Sequence, residues 1–156
     1  MTALQSLLDF ALDVTWQAGR ITLRYFQTGI AVERKGDNSP VTAADRESEQ
    51  YLRQMIARYY PDHGIVGEEY GEQASQSDFR WIIDPIDGTK SFISGVPLYG
   101  CLLALVERDQ PLVGIAHFPA LDETVFASLG GGCYWNGRRA HVSVSYTHLT
   151  LPTNRE

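Results

Sequence analysis

The feature that most constrains the fold of this chain is an apolar run, residues 79–83, followed at once by the string Asp-Pro-Ile-Asp-Gly-Thr. The run, Phe-Arg-Trp-Ile-Ile, is typical of a buried strand. Pro85 has no N–H to donate to a neighbouring strand, so we expect the strand to end at Asp84 and the chain to turn there. Such a turn brings the carboxylates of Asp84 and Asp87 into the same space, with the carbonyl of Ile86 between them.

The chemistry of that string indicates a metal and phosphate site. Two carboxylates held close together repel each other unless a positive charge lies between them. Oxygen ligands of this kind suit Mg²⁺ or Mn²⁺, which keep several waters and often bridge to a phosphate. Gly88 and Thr89 stand where a helix can begin, and the free N–H groups at a helix start bind anions. The alternative interpretation is a strand end followed by an ordinary Asp-Gly turn.

The rest of the sequence predicts two helices followed by a series of strands. The first helix is expected over residues 2–28, capped by Thr2 and stopped by Gly29, because apolar residues recur there at spacings of three and four. Thr42 and Asp45 have the spacing of a capping box, which predicts the start of a second helix. Further strands are expected at residues 30–33, 65–67, 98–107, 111–118 and 123–129, with a hairpin at Asn136-Gly137. This order predicts an α+β fold in which two helices pack on a largely antiparallel sheet.

Composition excludes several classes of function. A net charge of −6 over 156 residues argues against a nucleic-acid-binding protein, which needs a basic surface. The sequence has no apolar run as long as a membrane span and no pattern of a signal peptide, so we expect no membrane partner and a cytoplasmic protein. Cys101 and Cys133 lie far apart in the sequence and are expected to be reduced thiols.

Gly67-Glu68-Glu69, followed by residues 81–89, resembles the signature of the inositol monophosphatase family. Four further segments resemble the histidinol-phosphatase branch of that family: residues 37–46, 90–93, 95–100 and 118–123. The resemblance implies the N-terminal part of a layered αβαβα sandwich. It also implies a magnesium-dependent, lithium-sensitive phosphatase, with Mn²⁺ as an alternative metal. The implied partner is a small phosphorylated substrate, and the full-length parent is expected to be a homodimer.

The same resemblance implies roles for individual residues. It implies four metal ligands, which are Glu68, Asp84, Asp87 and the carbonyl of Ile86. It implies three phosphate-binding residues, which are Asp87, Gly88 and Thr89. Glu68 and the hydroxyl of Thr89 are expected to orient the water that attacks phosphorus. Asp45 is expected near an outer metal position, reached through water, and its alternative role is that of a helix cap alone.

The substrate that the branch implies is histidinol phosphate, an intermediate of histidine biosynthesis; the alternatives are inositol 1-phosphate and a nucleotide 3′-phosphate. Members of the family carry in their second half a Trp-Asp pair whose aspartate completes the metal site, and this sequence has no Trp-Asp pair. Residues 144–156 resemble a translated sequencing adapter, so we expect a truncated metal- and phosphate-binding domain over residues 1–143 and a non-native tail. The 156-residue chain is therefore expected to be an impaired phosphatase, with an inactive metal-binding fragment as the alternative.

Overall fold

The computed structural model describes residues 3–34, 36 and 40–141. Its helices are α1 (Ala3–Leu23), α2 (Ala43–Tyr59) and α3 (Thr89–Ile93), with a 3₁₀ turn at Pro119–Leu121. Its strands are β1 (Val32–Arg34), β2 (Pro40–Thr42), β3 (Gly64–Gly67), β4 (Gly71–Gln73), β5 (Phe79–Asp87), β6 (Gly100–Glu107), β7 (Gln110–Phe118), β8 (Glu123–Ser128), β9 (Gly132–Trp135) and β10 (Arg138–Ala140). The predicted cap Thr2 and the predicted tail at 144–156 lie outside the described residues.

Strands β3 to β10 form one sheet in the order β10-β9-β8-β7-β6-β5-β3-β4, and β1 pairs with β2 separately. Within this sheet all neighbours are antiparallel except β3 and β5, which run parallel. From β5 to β10 each strand pairs with the next one along the chain, so the predicted meander and the α+β class are confirmed. The predicted hairpin joins β9 to β10, where Asn136 and Gly137 have φ values of 48° and 75°, as a tight two-residue turn requires.

Helices α1 and α2 cover one face of the sheet and enclose the main apolar core. Helix α1 packs across β6 and β7, while α2 packs on β5. The helices and the central strands supply the buried side chains of this core, which include Leu8, Ala11, Val14, Ala18, Leu52, Ile56, Trp81, Ile83, Leu103 and Leu105. Burying one large apolar side chain stabilises a fold by about 1.5–3 kcal/mol. This layer therefore holds β5, and with it the residues of the predicted site, in a fixed position.

Helix α1 lies directly on β7 at Gly19. A β-carbon on this residue would lie 2.5 Å from Cδ2 of His117 and 2.8 Å from Cγ of Pro119. His117 is buried beneath the helix, and its Nδ1 lies 2.9 Å from Oγ1 of Thr124 on β8. The absence of a side chain at Gly19 thus lets the imidazole ring fit between helix and sheet.

The opposite face of the sheet is an open apolar surface. A depression of about 470 Å³ runs across β5 to β9 and is lined mainly by small and aliphatic residues, among them Ile82, Leu102, Ala104, Gly114, Ala116, Val125 and Ala127. Ile82 is 42% exposed there. Asp84 also lines the depression, so the apolar surface reaches the site that the sequence predicts.

Two predicted boundaries were wrong at the N-terminal end. Helix α1 ends at Leu23 instead of residue 28, because the following residues tighten into turns and Gln27 has a left-handed φ of 59°. The hydroxyl of Tyr25 donates to Glu47 on α2, which holds the turn against the second helix. Strand β1 begins at Val32 instead of residue 30.

None of the described helices is long and apolar enough to cross a membrane. Cys101 and Cys133 are free thiols, as predicted.

Candidate active site

The parallel pairing of β3 and β5 brings the predicted acidic residues to one edge of the sheet. Gly67, the last residue of β3, pairs with Ile83 on β5. Glu68 follows Gly67 and Asp84 follows Ile83, so the two carboxylates leave the paired strands at the same level. An antiparallel pair would have placed the ends of these strands at opposite edges.

Strand β5 continues through Pro85 to Asp87, so the prediction that it ends at Asp84 was wrong. The pairing with β6 nevertheless breaks there, because Asp84 pairs with Leu102 and Asp87 with Gly100. Two residues on β5 thus oppose one residue on β6, which is a β-bulge. In a regular strand, residues three apart point to opposite faces. The extra residue in the bulge breaks this alternation, and the Asp87 carboxylate contributes to the raised pKa of Asp84, while the shared orientation of the two side chains stays a prediction.

Asp84 is in an unfavourable electrostatic environment. Burial, and then the neighbouring carboxylates of Glu68 and Asp87, raise the pKa of Asp84 to about 7. The carboxyl of Glu68 lies within hydrogen-bonding reach of Asp84. Oδ1 of Asp84 is buried and has no hydrogen-bond partner. A buried acceptor without a donor costs about 1–3 kcal/mol, so this oxygen fits a cation better than an empty space.

Gly88 and Thr89 begin a short helix, as predicted. Gly88 precedes α3 with a left-handed φ of 90°, and a β-carbon there would lie 3.2 Å from the carbonyl oxygen of Leu98. The hydroxyl of Thr89 donates to the carbonyl oxygen of Ile86 at 3.1 Å. This bond orients the carbonyl that is predicted to bind metal. The phosphate-binding roles of Asp87, Gly88 and Thr89 stay predictions.

Asp45 forms the predicted capping box at the start of α2. Its Oδ2 accepts hydrogen bonds from the backbone N–H of Thr42 at 2.8 Å and from the hydroxyl of Thr42 at 2.6 Å. Burial raises the pKa of Asp45, the Thr42 hydrogen bonds act against that rise, and the Glu68 carboxylate adds to it. Asp45 therefore lies within electrostatic range of the acidic cluster, while its role at an outer metal position stays a prediction.

The sequence analysis missed Glu49 on α2. This residue is fully buried, and its carboxylate accepts hydrogen bonds from the backbone N–H groups of Glu69 at 2.7 Å and Tyr70 at 3.2 Å. It also forms an ion pair with Arg53 at 2.8 Å. The only signal in the sequence is the Glu-to-Arg spacing of four, which is ordinary on exposed helices.

The residues at this edge fit a hard divalent cation in their chemistry. Glu68, Asp84, Asp87 and the Ile86 carbonyl are all oxygen donors. Within the described ranges, no group of three or more His, Cys, Asp or Glu side chains is arranged so that it could hold a metal ion by itself. Mg²⁺ binds through one or two carboxylates together with waters and substrate phosphate, so it does not require such a group.

The fold and the site together define a class of α+β proteins that carry a carboxylate cluster at the end of a parallel strand pair. The chain belongs to the inositol monophosphatase family, whose sequence model matches residues 3–155. The resemblance predicted from the signature is therefore confirmed. The matched range includes the predicted non-native tail, whose nature stays a prediction.

Individual relatives support the same assignment. The chain is 47% identical over 137 residues to a histidinol-phosphatase of Chlorobaculum parvum, covering 87% of this chain and 53% of that protein. It is 40% identical over 111 residues to a fructose-1,6-bisphosphatase/inositol-1-monophosphatase of Aquifex aeolicus, covering 71% and 42% respectively. The fold matches the solved structure of a Thermotoga maritima IMPase with a TM-score of 0.84 at 36% identity, covering 89% of this chain and 54% of that one. The chain spans about half the length of these relatives.

Proposed function

We propose that the protein to which this chain belongs hydrolyses a small phosphate monoester with the help of Mg²⁺. The observation that carries this proposal is the partnerless buried oxygen of Asp84 beside the Glu68 carboxylate. Two carboxylates this close destabilise the fold unless a proton or a cation neutralises one of their charges. Such a pair is retained in a fold where it serves a ligand.

Each residue of the cluster has a proposed role. Glu68, Asp84, Asp87 and the carbonyl of Ile86 would hold the metal, and Asp45 would reach an outer metal position through water. A bound Mg²⁺ neutralises phosphate charge and makes a bound water more acidic. Glu68 and the Thr89 hydroxyl would orient the attacking water. The backbone N–H groups of Gly88 and Thr89, together with Asp87, would hold the phosphate.

The proposed substrate is histidinol phosphate. It is supported by the relative named histidinol-phosphatase, which is 47% identical over most of this chain. Inositol 1-phosphate is the second candidate, because another relative is named fructose-1,6-bisphosphatase/inositol-1-monophosphatase. Turnover of a nucleotide 3′-phosphate and a homodimeric parent remain proposals from the family resemblance alone.

The metal part of the proposal is tested by titrating Mg²⁺ into the 156-residue chain in a calorimeter. We expect binding by the wild type and loss of binding in Asp84→Asn. Asp78→Asn is the matched control, because Asp78 is an exposed aspartate paired with Arg108 away from the cluster. Absence of Mg²⁺ binding by the wild type contradicts the proposed function.

The substrate part is tested by phosphate release in Mg²⁺ from histidinol phosphate, inositol 1-phosphate and adenosine 3′-phosphate. We expect turnover of histidinol phosphate, with inhibition by Li⁺. If phosphate is released faster from inositol 1-phosphate or from adenosine 3′-phosphate, that compound becomes the proposed substrate instead of histidinol phosphate. Mg²⁺ binding without any phosphate release supports the inactive metal-binding alternative for this chain.

A further inference from the structure

Glu49 is a charged group in a position where charge is costly. It lies in the middle of α2 with no exposed surface. A carboxylate taken out of water destabilises a fold by several kcal/mol unless hydrogen bonds and an opposite charge compensate for it. Replacing a whole buried ion pair with apolar residues is often neutral or stabilising, whereas removing one partner is strongly destabilising, so the presence of the Glu49–Arg53 pair calls for an explanation other than stability.

The partners of Glu49 join α2 to the turn after β3. Oε2 accepts from the N–H of Glu69, and Oε1 accepts from the N–H of Tyr70 and from Nε of Arg53. Arg53 also donates to the carbonyl oxygen of Gly71 at the far end of the turn. One ion pair on α2 thus binds backbone groups of three successive residues of the turn, Glu69, Tyr70 and Gly71.

The backbone of the turn is shaped to admit this carboxylate. A β-carbon at Gly67 would overlap Oε1 and Cδ of Glu49 and would lie 2.7 Å from Nη2 of Arg53. Gly67 also pairs with Gly71, which closes the base of the turn between β3 and β4. Glycine at position 67 is therefore what lets α2 reach the turn.

We propose that Glu49 is a positioning residue for Glu68. By fixing the N–H groups of Glu69 and Tyr70, it sets the direction in which the Glu68 carboxylate leaves β3 relative to Asp84. This inference rests on the proposed function only for the identity of the ligand that Glu68 serves. Residues that orient metal ligands through hydrogen bonds typically contribute about 10- to 100-fold to metal affinity.

The test compares Glu49→Gln with Glu47→Gln in the full 156-residue chain. A glutamine at position 49 keeps the size of the side chain. Its amide N–H₂ group cannot accept a hydrogen bond, so one of the N–H donors that contact Glu49 loses its acceptor. Glu47 lies on the same helix and pairs with Arg24 and Tyr25, away from the turn. We expect Mg²⁺ affinity by calorimetry to fall about 10- to 100-fold in Glu49→Gln and to stay unchanged in Glu47→Gln.

A second pair of variants separates positioning from general loss of stability. Gly67→Ala displaces the Glu49 carboxylate without changing any charge and should weaken Mg²⁺ binding like Glu49→Gln. Leu52→Ala creates a cavity in the core beside α2 and should lower the unfolding free energy, measured in urea with EDTA, while Mg²⁺ affinity stays unchanged. Wild-type affinity in Glu49→Gln, or an equal loss in a Leu52→Ala protein that is still folded, overturns the proposal.

A readout without metal keeps this inference separate from the proposed function. In EDTA, hydrogen exchange of the Glu69 and Tyr70 amides should accelerate at least tenfold in Glu49→Gln, while exchange of core amides such as that of Leu105 stays the same. If the wild type binds no Mg²⁺, the proposed function fails and this exchange decides whether Glu49 fixes the turn. Unchanged exchange at both amides shows that Glu49 does not position Glu68.

Discussion

At the scale of a single residue, Asp84 lowers the stability of the fold at the candidate site. Its carboxyl is buried beside Glu68 and Asp87, and its Oδ1 has no donor. An unsatisfied buried acceptor costs about 1–3 kcal/mol, which is a large share of the 5–15 kcal/mol that stabilises a typical domain. A local violation of this kind is typical of functional sites. The gain in free energy on binding a cation is correspondingly larger than at an exposed pair.

His117 makes the unfolding free energy depend on pH, which a histidine with the same pKa in the folded and unfolded chain does not. Burial lowers its pKa below the ordinary 6.5, while contacts with the Glu123 backbone and the Asp122 carboxylate oppose that shift. The unfolded chain therefore takes up a proton as pH falls through about 6.5, and the folded chain does not. We expect the contribution of His117 to the unfolding free energy to be fully present above pH 6.5 and to decline below it, measured by urea unfolding between pH 7.5 and 5.5.

The control for this prediction is His117→Gln, which removes the titrating group. Asp13 from α1 shares a cavity with His117, burial lowers the pKa of His63, and the pKa of Asp84 is raised to about 7. These groups are present in both proteins, so the difference between the two pH profiles isolates His117. If the unfolding free energies of the wild type and His117→Gln differ by the same amount at pH 7.5 and at pH 5.5, the prediction is contradicted.

At the scale of elements, the sequence predicted what local chemistry determines. The Thr42–Asp45 capping box and the Asn136-Gly137 turn depend only on near neighbours, and both occur as predicted. Pro85 correctly indicated that a ladder bond is missing. It did not reveal that two residues of β5 oppose one of β6, because a bulge depends on the partner strand.

The contribution of Glu49 was not predictable from the sequence for a related reason. Its partners are the backbone N–H groups of Glu69 and Tyr70, twenty or more residues away, and backbone groups carry no sequence signal. The acidic residues of the site were predictable because they stand in a contiguous string and a short upstream motif. These residues lie at the same edge of the sheet because β3 and β5 pair in parallel, and neither sequence segment alone indicates that pairing.

The contact between α1 and β7 predicts that Gly19→Ala destabilises the protein. On an open helix this change would stabilise by up to about 1 kcal/mol, because alanine is the better helix former. Here the new methyl group would meet the His117 ring and Pro119 at 2.5–2.8 Å. Overpacking of this kind costs about 1–3 kcal/mol, so we expect a net loss of unfolding free energy in urea.

Gly114→Ala is the matched control for the helix variant. Gly114 lies on β7, the strand that carries His117, but a β-carbon on Gly114 would have no neighbour within 4 Å. Its unfolding free energy should equal or exceed that of the wild type. A Gly19→Ala protein as stable as Gly114→Ala contradicts the contact between α1 and His117.

At the scale of the whole molecule, the two faces of the sheet differ. One face is covered by α1 and α2, and the other carries the apolar depression that ends at Asp84. Contiguous exposed apolar surface is typical of sites of association or of aggregation. We expect the 156-residue chain to bind the dye ANS in its native state and to self-associate as concentration rises.

Leu102 and Leu103 are adjacent residues that test this difference between the faces. Leu102 is partly exposed in the open depression, whereas Leu103 is 1% exposed and belongs to the core under the helices. Leu102→Ser should lower native-state ANS fluorescence with little change in unfolding free energy. Leu103→Ser should destabilise the fold by about 2–5 kcal/mol, as large core truncations do. Equal stability losses in the two variants contradict the assignment of an open and a covered face.

The position of α1 has a consequence for the order of events during synthesis. This helix leaves the ribosome before the strands on which it packs, because β6 and β7 end only at residues 107 and 118. Ribosomes add about 5–20 residues per second, so the apolar side of α1 waits roughly 5–20 s for its sheet. In that interval α2, and later β5, are the packing partners of α1 that have been completed among the described elements. A nascent chain of this protein therefore carries α1 incompletely covered until β6 and β7 have emerged.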